Sequence, residues 1–410
     1  MKIRPRMRGV SLIELMVALA IGVLLLLGVI EVFSASRVAY QLSTGLARTQ
    51  ENGRFALDIL QRDIRMAGHN GCINDQARFL PENVTPSQPA LLSTFLTADQ
   101  QASGDFAPAG LHPALRFDMA IQGFEALDTE TGDLTLPATL TPTTDASGWE
   151  PAIPPGIFAS MQSPLPGSDI LVLRNFTPTG AQISNFVAGD PATITFDTSH
   201  TPRLLEGVAQ PRLFGIADCM GAAVFKGNYA NLADGTVTVS SGNGNQVSLE
   251  SLPVARGQAM LYRADSLVYY VGLNAQGVPA LFRVRFGMNA AGAVQSLNEE
   301  LVEGIELMQL RFGQDSFTAA GTRPSGNIGS ATTADALAGA TPEEAWRRVG
   351  VVQVGLVARS AESAAAGQRV ESAANPPLST LGLTIVPPQD RFYRSVYEDS
   401  IALRNRLFGN

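Results

Sequence analysis

The chain is predicted to be an α+β protein in which one long N-terminal helix packs its C-terminal half on an antiparallel β-sheet enlarged by insertions. Three observations carry this. Residues 10–30 are 21 almost uninterrupted apolar positions, with Ser11 and Glu14 the only polar side chains. No proline occurs between Pro5 and Pro81, and an amphipathic pattern follows the apolar run. From Ser168 onward, short apolar or alternating runs are separated by turn residues.

The apolar run is long enough to cross a bilayer core of ~30 Å at ~1.5 Å per helical residue. Residues 1–8 carry Lys2, Arg4, Arg6 and Arg8 and no acid, which holds that end in the cytoplasm and exports the rest. Glu14 stands about one turn inside the run. An acid at such a depth costs roughly 2.5–3.5 kcal/mol on insertion scales and marks a function by default. A cleaved secretory signal would need a small-residue site after the run, and Val32, Ser34 and Ser36 fit that pattern poorly. A plain anchor whose Glu14 snorkels to the interface accounts for the acid but not for a glycine directly behind the basic leader.

That glycine, Gly9, followed by Val10 and an acid four residues beyond it, resembles the type III signal of type IV pilins and pseudopilins. The resemblance implies cleavage between Gly9 and Val10 on the cytoplasmic face and N-methylation of Val10. It also implies pairing of Glu14 with the N-terminal amine of a neighbouring subunit during assembly. Val10 stands where that family usually has Phe.

Beyond Glu31 the helix becomes amphipathic. Val38, Leu42, Leu46, Thr49, Gly53, Leu57, Leu60 and Ile64 step by three or four residues, with charged residues mostly on other faces. Arg54, Asp58 and Arg62 are spaced for i,i+4 pairs, and Arg62, Asp63 and Arg65 read singly as a solvated face. Gly68 and Gly71 end the helix. The predicted helix, residues 10–66, is ~85 Å long. Residues 52–72, running from Asn52-Gly53-Arg54 to Gly71-Cys72, resemble the segment that closes the long helix in minor pilins of the PilW type, with His69 where an aromatic residue is common.

Composition fits export. The 410 residues carry 29 Lys and Arg against 37 Asp and Glu, and without the leader the balance is 25 against 37, or −12. Such a surface argues against a nonspecific nucleic-acid binder, though not against a local basic patch. Cys72 and Cys219 are an even pair in a chain sent to an oxidising compartment, so a disulfide is expected, with two buried free thiols as the alternative.

Residues 73–167 read as loops and short elements, with 115–121 a candidate strand. Strands are then expected at 169–174, 192–196, 213–217, 260–262, 267–271, 280–286, 305–312 and 349–359. Turns are expected at Ala264-Asp265 and at 274–277, a loop at 316–341, and a strand or helix at 391–408, with strand favoured. Residues 167–174, 216–219, 301–306 and 400–406 resemble further PilW-type blocks.

Motifs for enzyme chemistry are not found. His69, His112 and His200 lie in no metal-binding pattern, no phosphate loop or G-x-S-x-G elbow occurs, and 242–245 reads as a β-turn. The expectation is a non-enzyme with no cofactor and no metal. The expected organisation is a leader at 1–9, a membrane half of the helix at 10–31, an amphipathic half at 32–67 and a β-rich periplasmic or extracellular domain at 68–410. The resemblance implies a pilin-like minor pilin for assembly or initiation of type IV pili. It would sit in the inner membrane, enter the pilus, and work with other minor pilins, the major pilin, the prepilin peptidase and the inner-membrane assembly machinery. The alternatives are a minor pseudopilin of a type II secretion system and a singly anchored periplasmic enzyme.

Overall fold

The computed structural model describes residues 9–74, 91–130, 132–219, 221–250, 258–316, 325–339, 341–360, 376–390, 392–403 and 405. Residues 1–8 of the expected leader, Pro81, Pro86 and Pro89, and the end of the last expected element at 406–408 lie outside them. One α-helix, Leu12–Arg65, runs for 54 residues. Ser11 caps it, Arg62 and Arg65 lie in its last turn, and the chain then reverses through Gly68 and Gly71. Both glycines have φ near +77°, the left-handed region where a Cβ is strained (φ 76° and 78°).

The sheet the helix rests on has four antiparallel strands in the order Ile328–Thr332, Ile305–Asp315, Val349–Arg359, Arg394–Ala402. Alternation along these strands sorts their side chains. Val352, Val354, Leu356 and Ala358 join the core that contains the helix, whereas Val357 joins the core on the opposite face. That opposite face is covered by a three-stranded sheet of Leu378–Thr380, Leu383–Val386 and Gly132–Thr135.

The remaining bulk is a twelve-stranded sheet built on Met260–Leu273. The first residues of that strand pair with Leu213–Ala217, and its later residues pair with Pro279–Met288 and Ile170–Phe176. Asp169, at the foot of Ile170–Phe176, joins the two sheets. Its carboxylate accepts from Ala126 N–H at 2.9 Å and Leu310 N–H at 2.7 Å. Glu125 lies beside it, 3% exposed, accepting from the Thr129 hydroxyl at 3.2 Å.

Several expectations need correction. Ala264-Asp265 is not a turn but the middle of a 14-residue strand. Asp265 is kept inside by Arg263 (3.0 and 2.9 Å) and Arg285 (3.0 Å), so a turn-forming residue type is neutralised within the sheet. The candidate strand at 115–121 is a 3₁₀ turn, Pro113–Leu115, and the strand begins only at Ile121. Within 316–341, Ile328–Thr332 is a strand on the edge of the helix-bearing sheet. The strands at 192–196, 213–217 and 349–359 fall where expected. The closing element is a strand, Arg394–Ala402.

Candidate functional site

The two halves of the helix present different chemistry. In the first, Gly9 and Val10 precede the helix in the open, and Val10 is 72% exposed. A Cβ built on Gly9 would meet nothing within 4 Å among the described residues. Among those residues, nothing crowds the position. Ser11 and Glu14 form a reciprocal cap. Glu14 N–H donates to Ser11 Oγ at 3.2 Å, and Ser11 N–H donates to the Glu14 carboxylate at 3.3 Å. Glu14 thus uses one oxygen on its own helix end while the apolar side chains around it, from Leu12 to Ile30, stay exposed. The Ser-x-x-Glu spacing of this cap is visible in the sequence.

In the second half the helix is tied to the sheet. Thr49, Gly53, Ala56, Leu60 and Ile64 are buried, and the last three enter the central core. The fully buried face starts at Thr49 rather than Val38, which is only half-buried, and the Tyr397 hydroxyl donates to Thr49 C=O at 3.3 Å. The Tyr397 ring lies so close that a Cβ on Gly53 would be 2.3 Å from it. Gly53 is therefore a close-approach position, and any side chain there must displace the ring.

Polar bonds fix the rest. Asn52 donates to Glu303 C=O at 2.9 Å, Gln61 to the Asp399 carboxylate at 2.9 Å, and Asn405 to Arg65 C=O at 3.2 Å. Asp63 was expected on a solvated face but turns inward. It accepts a short hydrogen bond from the Tyr269 hydroxyl and lies 3.5 Å from Arg283, which also pairs with Glu299 at 2.9 Å. Burial, and then the charge of Asp63, push the Tyr269 hydroxyl well above its ordinary pKa. Burial alone would lower Arg283, but Tyr269 and Glu299 hold it above its usual value. Arg62 turns to Asp63 at 3.1 Å, not to Asp58, and keeps its side chain 69% exposed. Periodicity cannot find Asp63, since its partners lie more than 200 residues away.

Just past the helix, Cys72 and Cys219 form the expected disulfide, with Cα atoms 4.9 Å apart. The bond ties the helix end to the twelve-stranded sheet, whose Leu213–Ala217 strand ends two residues before Cys219. Beneath it His69 packs edge-on against Tyr262, with ring centroids 6.1 Å apart, and its burial lowers the imidazole pKa. The other two histidines have local structural partners. His112 accepts from Ala114 N–H at 3.2 Å, and His200 from Gln182 N–H at 3.4 Å.

Two family models match this chain. Residues 4–30 match the prokaryotic N-terminal methylation motif, and residues 268–405 match type IV pilus-assembly protein W. No curated protein and no solved structure matches it. The matches fall on the two regions just described. The first covers Arg4, Arg6 and Arg8 of the basic stretch, Gly9, Val10 and Glu14. The second covers every head residue named above as bonded to the helix: Tyr269, Arg283, Glu303, Tyr397, Asp399 and Asn405. The two matches support a PilW-family type IV pilus protein of pilin-like α+β fold, with one N-terminal helix long and apolar enough to anchor it in the inner membrane and its C-terminal domain in the periplasm.

Proposed function

We propose that this chain is a minor pilin, a structural subunit that is cut between Gly9 and Val10, methylated at Val10 and incorporated where type IV pilus assembly starts. The prepilin peptidase would remove residues 1–9. Residues 10–31 would hold the subunit in the membrane and then among packed helices, 32–67 would carry the head, and 68–410 would form that head. Other minor pilins, the major pilin and the inner-membrane assembly machinery are the partners this role requires.

The observation that carries the reading is Glu14. In the membrane it sits near the leaflet boundary, where water and headgroups reduce its cost. Among packed apolar helices an unpaired charge costs several kcal/mol. Ser11 satisfies part of the carboxylate, but no cation lies within this chain's own apolar run to neutralise it. The processed amine of Val10 on a subunit displaced by about one helical turn supplies that cation. Gly9 fits the same reading, because no described residue crowds it and a tight protease cleft favours a residue without a side chain.

The test combines mass analysis with filament recovery. Gly9→Asp or Gly9→Lys should leave full-length precursor, whereas wild type should begin at methylated Val10. Glu14→Gln should insert and be cleaved yet fail to enter or start filaments, with Glu14→Asp intermediate. Normal filaments in the Glu14→Gln strain would refute the pairing and leave Glu14 as an interface residue.

A further inference from the structure

Three sheets meet at a small polar cavity. Glu125 reaches it from the strand Ile121–Ala126 of the twelve-stranded sheet. Gln309 comes from Ile305–Asp315 of the four-stranded sheet, and Thr380 from Leu378–Thr380 of the three-stranded sheet. The cavity measures about 10 Å³, room for roughly one water-sized sphere. Glu125 spends one oxygen on the Thr129 hydroxyl at 3.2 Å. Its other oxygen is buried and makes no hydrogen bond of ordinary geometry among the described residues, although the Ala334 amide acts on the carboxyl. Thr380 is a separate defect. It is 1% exposed, and its hydroxyl has no hydrogen-bond partner among the described residues. Gly355 admits that hydroxyl, since a Cβ there would lie 2.2 Å from it. The Gln309 side-chain nitrogen donates to Gly167 C=O at 3.1 Å, which lies off the cavity.

The charge around the cavity is lopsided. Burial raises the Glu125 carboxyl and Asp335 adds to the effect, while Thr129 and Arg311 oppose it. Asp169 behind it is raised by burial and then by Glu125. Against these three carboxylates the described cavity lining offers one guanidinium, Arg311, which donates to Glu130 C=O at 3.0 Å. A water would answer the Thr380 hydroxyl but leave the negative charge uncompensated. A cation answers both.

We propose that this cavity binds one Ca²⁺ ion, held by the Glu125 carboxylate with side-chain oxygens of Thr129, Gln309 and Thr380. Every donor is oxygen, the ligand chemistry of a hard cation. Among the described residues no three His, Cys, Asp or Glu side chains converge to hold a metal, so Zn²⁺ lacks its usual ligands. Mg²⁺ demands a tight octahedron and gives up its water reluctantly, whereas Ca²⁺ accepts irregular sets of neutral oxygens. One carboxylate in the inner set implies weak binding, at about 10⁻⁴–10⁻³ M, the range of extracellular modules. The ion takes the place of the proton on Glu125 and clamps three sheets at one point. No local motif marks the site, because its ligands are spread from residue 125 to residue 380.

The experiment follows thermal unfolding of the detergent-extracted full chain after treatment with a chelator. Ca²⁺ at about tenfold its dissociation constant should raise the unfolding temperature by about 2 °C, and Mg²⁺ at the same concentration should not. Because the ion displaces a proton, the rise should be larger at about pH 8 than at about pH 5.5. Glu125→Gln should abolish the response. Thr380→Val, which removes the hydroxyl at nearly constant volume, should weaken Ca²⁺ affinity several-fold. If Glu125→Gln does not fold, Tb³⁺ bound to the wild type serves as the probe. Its luminescence, excited through Trp149 on the strand paired with Ala126, should be displaced by Ca²⁺ and not by Mg²⁺. No rise in the wild type, an equal response to Mg²⁺ in either measurement, or a rise that both variants keep would each overturn the site. The last outcome would mean binding by exposed carboxylates only.

Discussion

One helix serves two solvents, and its halves obey different rules. From Leu12 to Ile30 the side chains are apolar on every face and exposed, with a polar pair, Ser11 and Glu14, closing only on each other. From Thr49 to Arg65 only one stripe is buried, and it is fastened by hydrogen bonds to residues far along the same chain. The first half takes its partners from a membrane or from other subunits. The second is supplied from within. Burial inside the monomer therefore predicts where a substitution changes the stability of the head, and exposure predicts where it changes assembly.

The comparison is broken or sharpened most strongly at Leu60. Leu60→Ala should lower the unfolding free energy of the detergent-extracted chain by about 2–5 kcal/mol, whereas Leu25→Ala on the same helix should leave head unfolding unchanged. Equal effects at both positions would erase the distinction. Next comes the staple at the helix end. The two cysteines are 147 residues apart, and Cys72→Ser with Cys219→Ser should cost at most about 5 kcal/mol. The measurement is a denaturant midpoint with and without reductant, and only the wild type should respond to reductant.

A smaller effect concerns the joint of the two sheets. Burial raises the Glu125 carboxyl to about 7, against the Thr129 hydrogen bond, and burial with the Glu125 charge raises Asp169 as well. The folded state therefore holds a proton that the unfolded chain has released. Stability is full below about pH 4.5 and falls as pH rises towards 7, by on the order of 2–3 kcal/mol. Glu125→Gln should flatten that slope. Comparing wild type with the variant isolates Glu125 from His69, whose lowered pKa acts in the opposite direction.

Asp63→Asn should cost about 1–3 kcal/mol by weakening the bond to Tyr269 and the pair with Arg283. Its neighbour Arg62→Ala should stay within about 0.5 kcal/mol, since that side chain is largely in solvent. A reversed order would mean that the inward turn of Asp63 carries no energy.

These contrasts explain what the sequence reveals. The apolar run, the left-handed glycines at 68 and 71, the cysteine pair and the strands at 192–196 and 349–359 depend on local pattern, and local pattern is legible. Asp265 and Asp63 were misread for one shared reason. Each is a polar residue placed where solvent is the usual expectation, and each is drawn inside by arginine, with tyrosine also for Asp63, from a strand whose pairing the sequence does not state. Gly53 was visible as part of a stripe, but its necessity was not, because the Tyr397 ring that crowds it arrives from the other end of the chain. At the start of the helix the reverse holds. Gly9, Val10 and Glu14 are conspicuous in the sequence and make almost no contact in the monomer.

The bond from Tyr397 to Thr49 has a consequence in time. Those residues are 348 positions apart, and the helix leaves the ribosome long before the strand it rests on. At about 5–20 residues per second the interval is roughly 20–70 s. Until then the core around Ala56, Leu60 and Ile64 lacks Ile401 and Leu403, so its cover is completed only by the end of the chain. Premature pairing of two such chains along that stripe is the misassembly this topology invites.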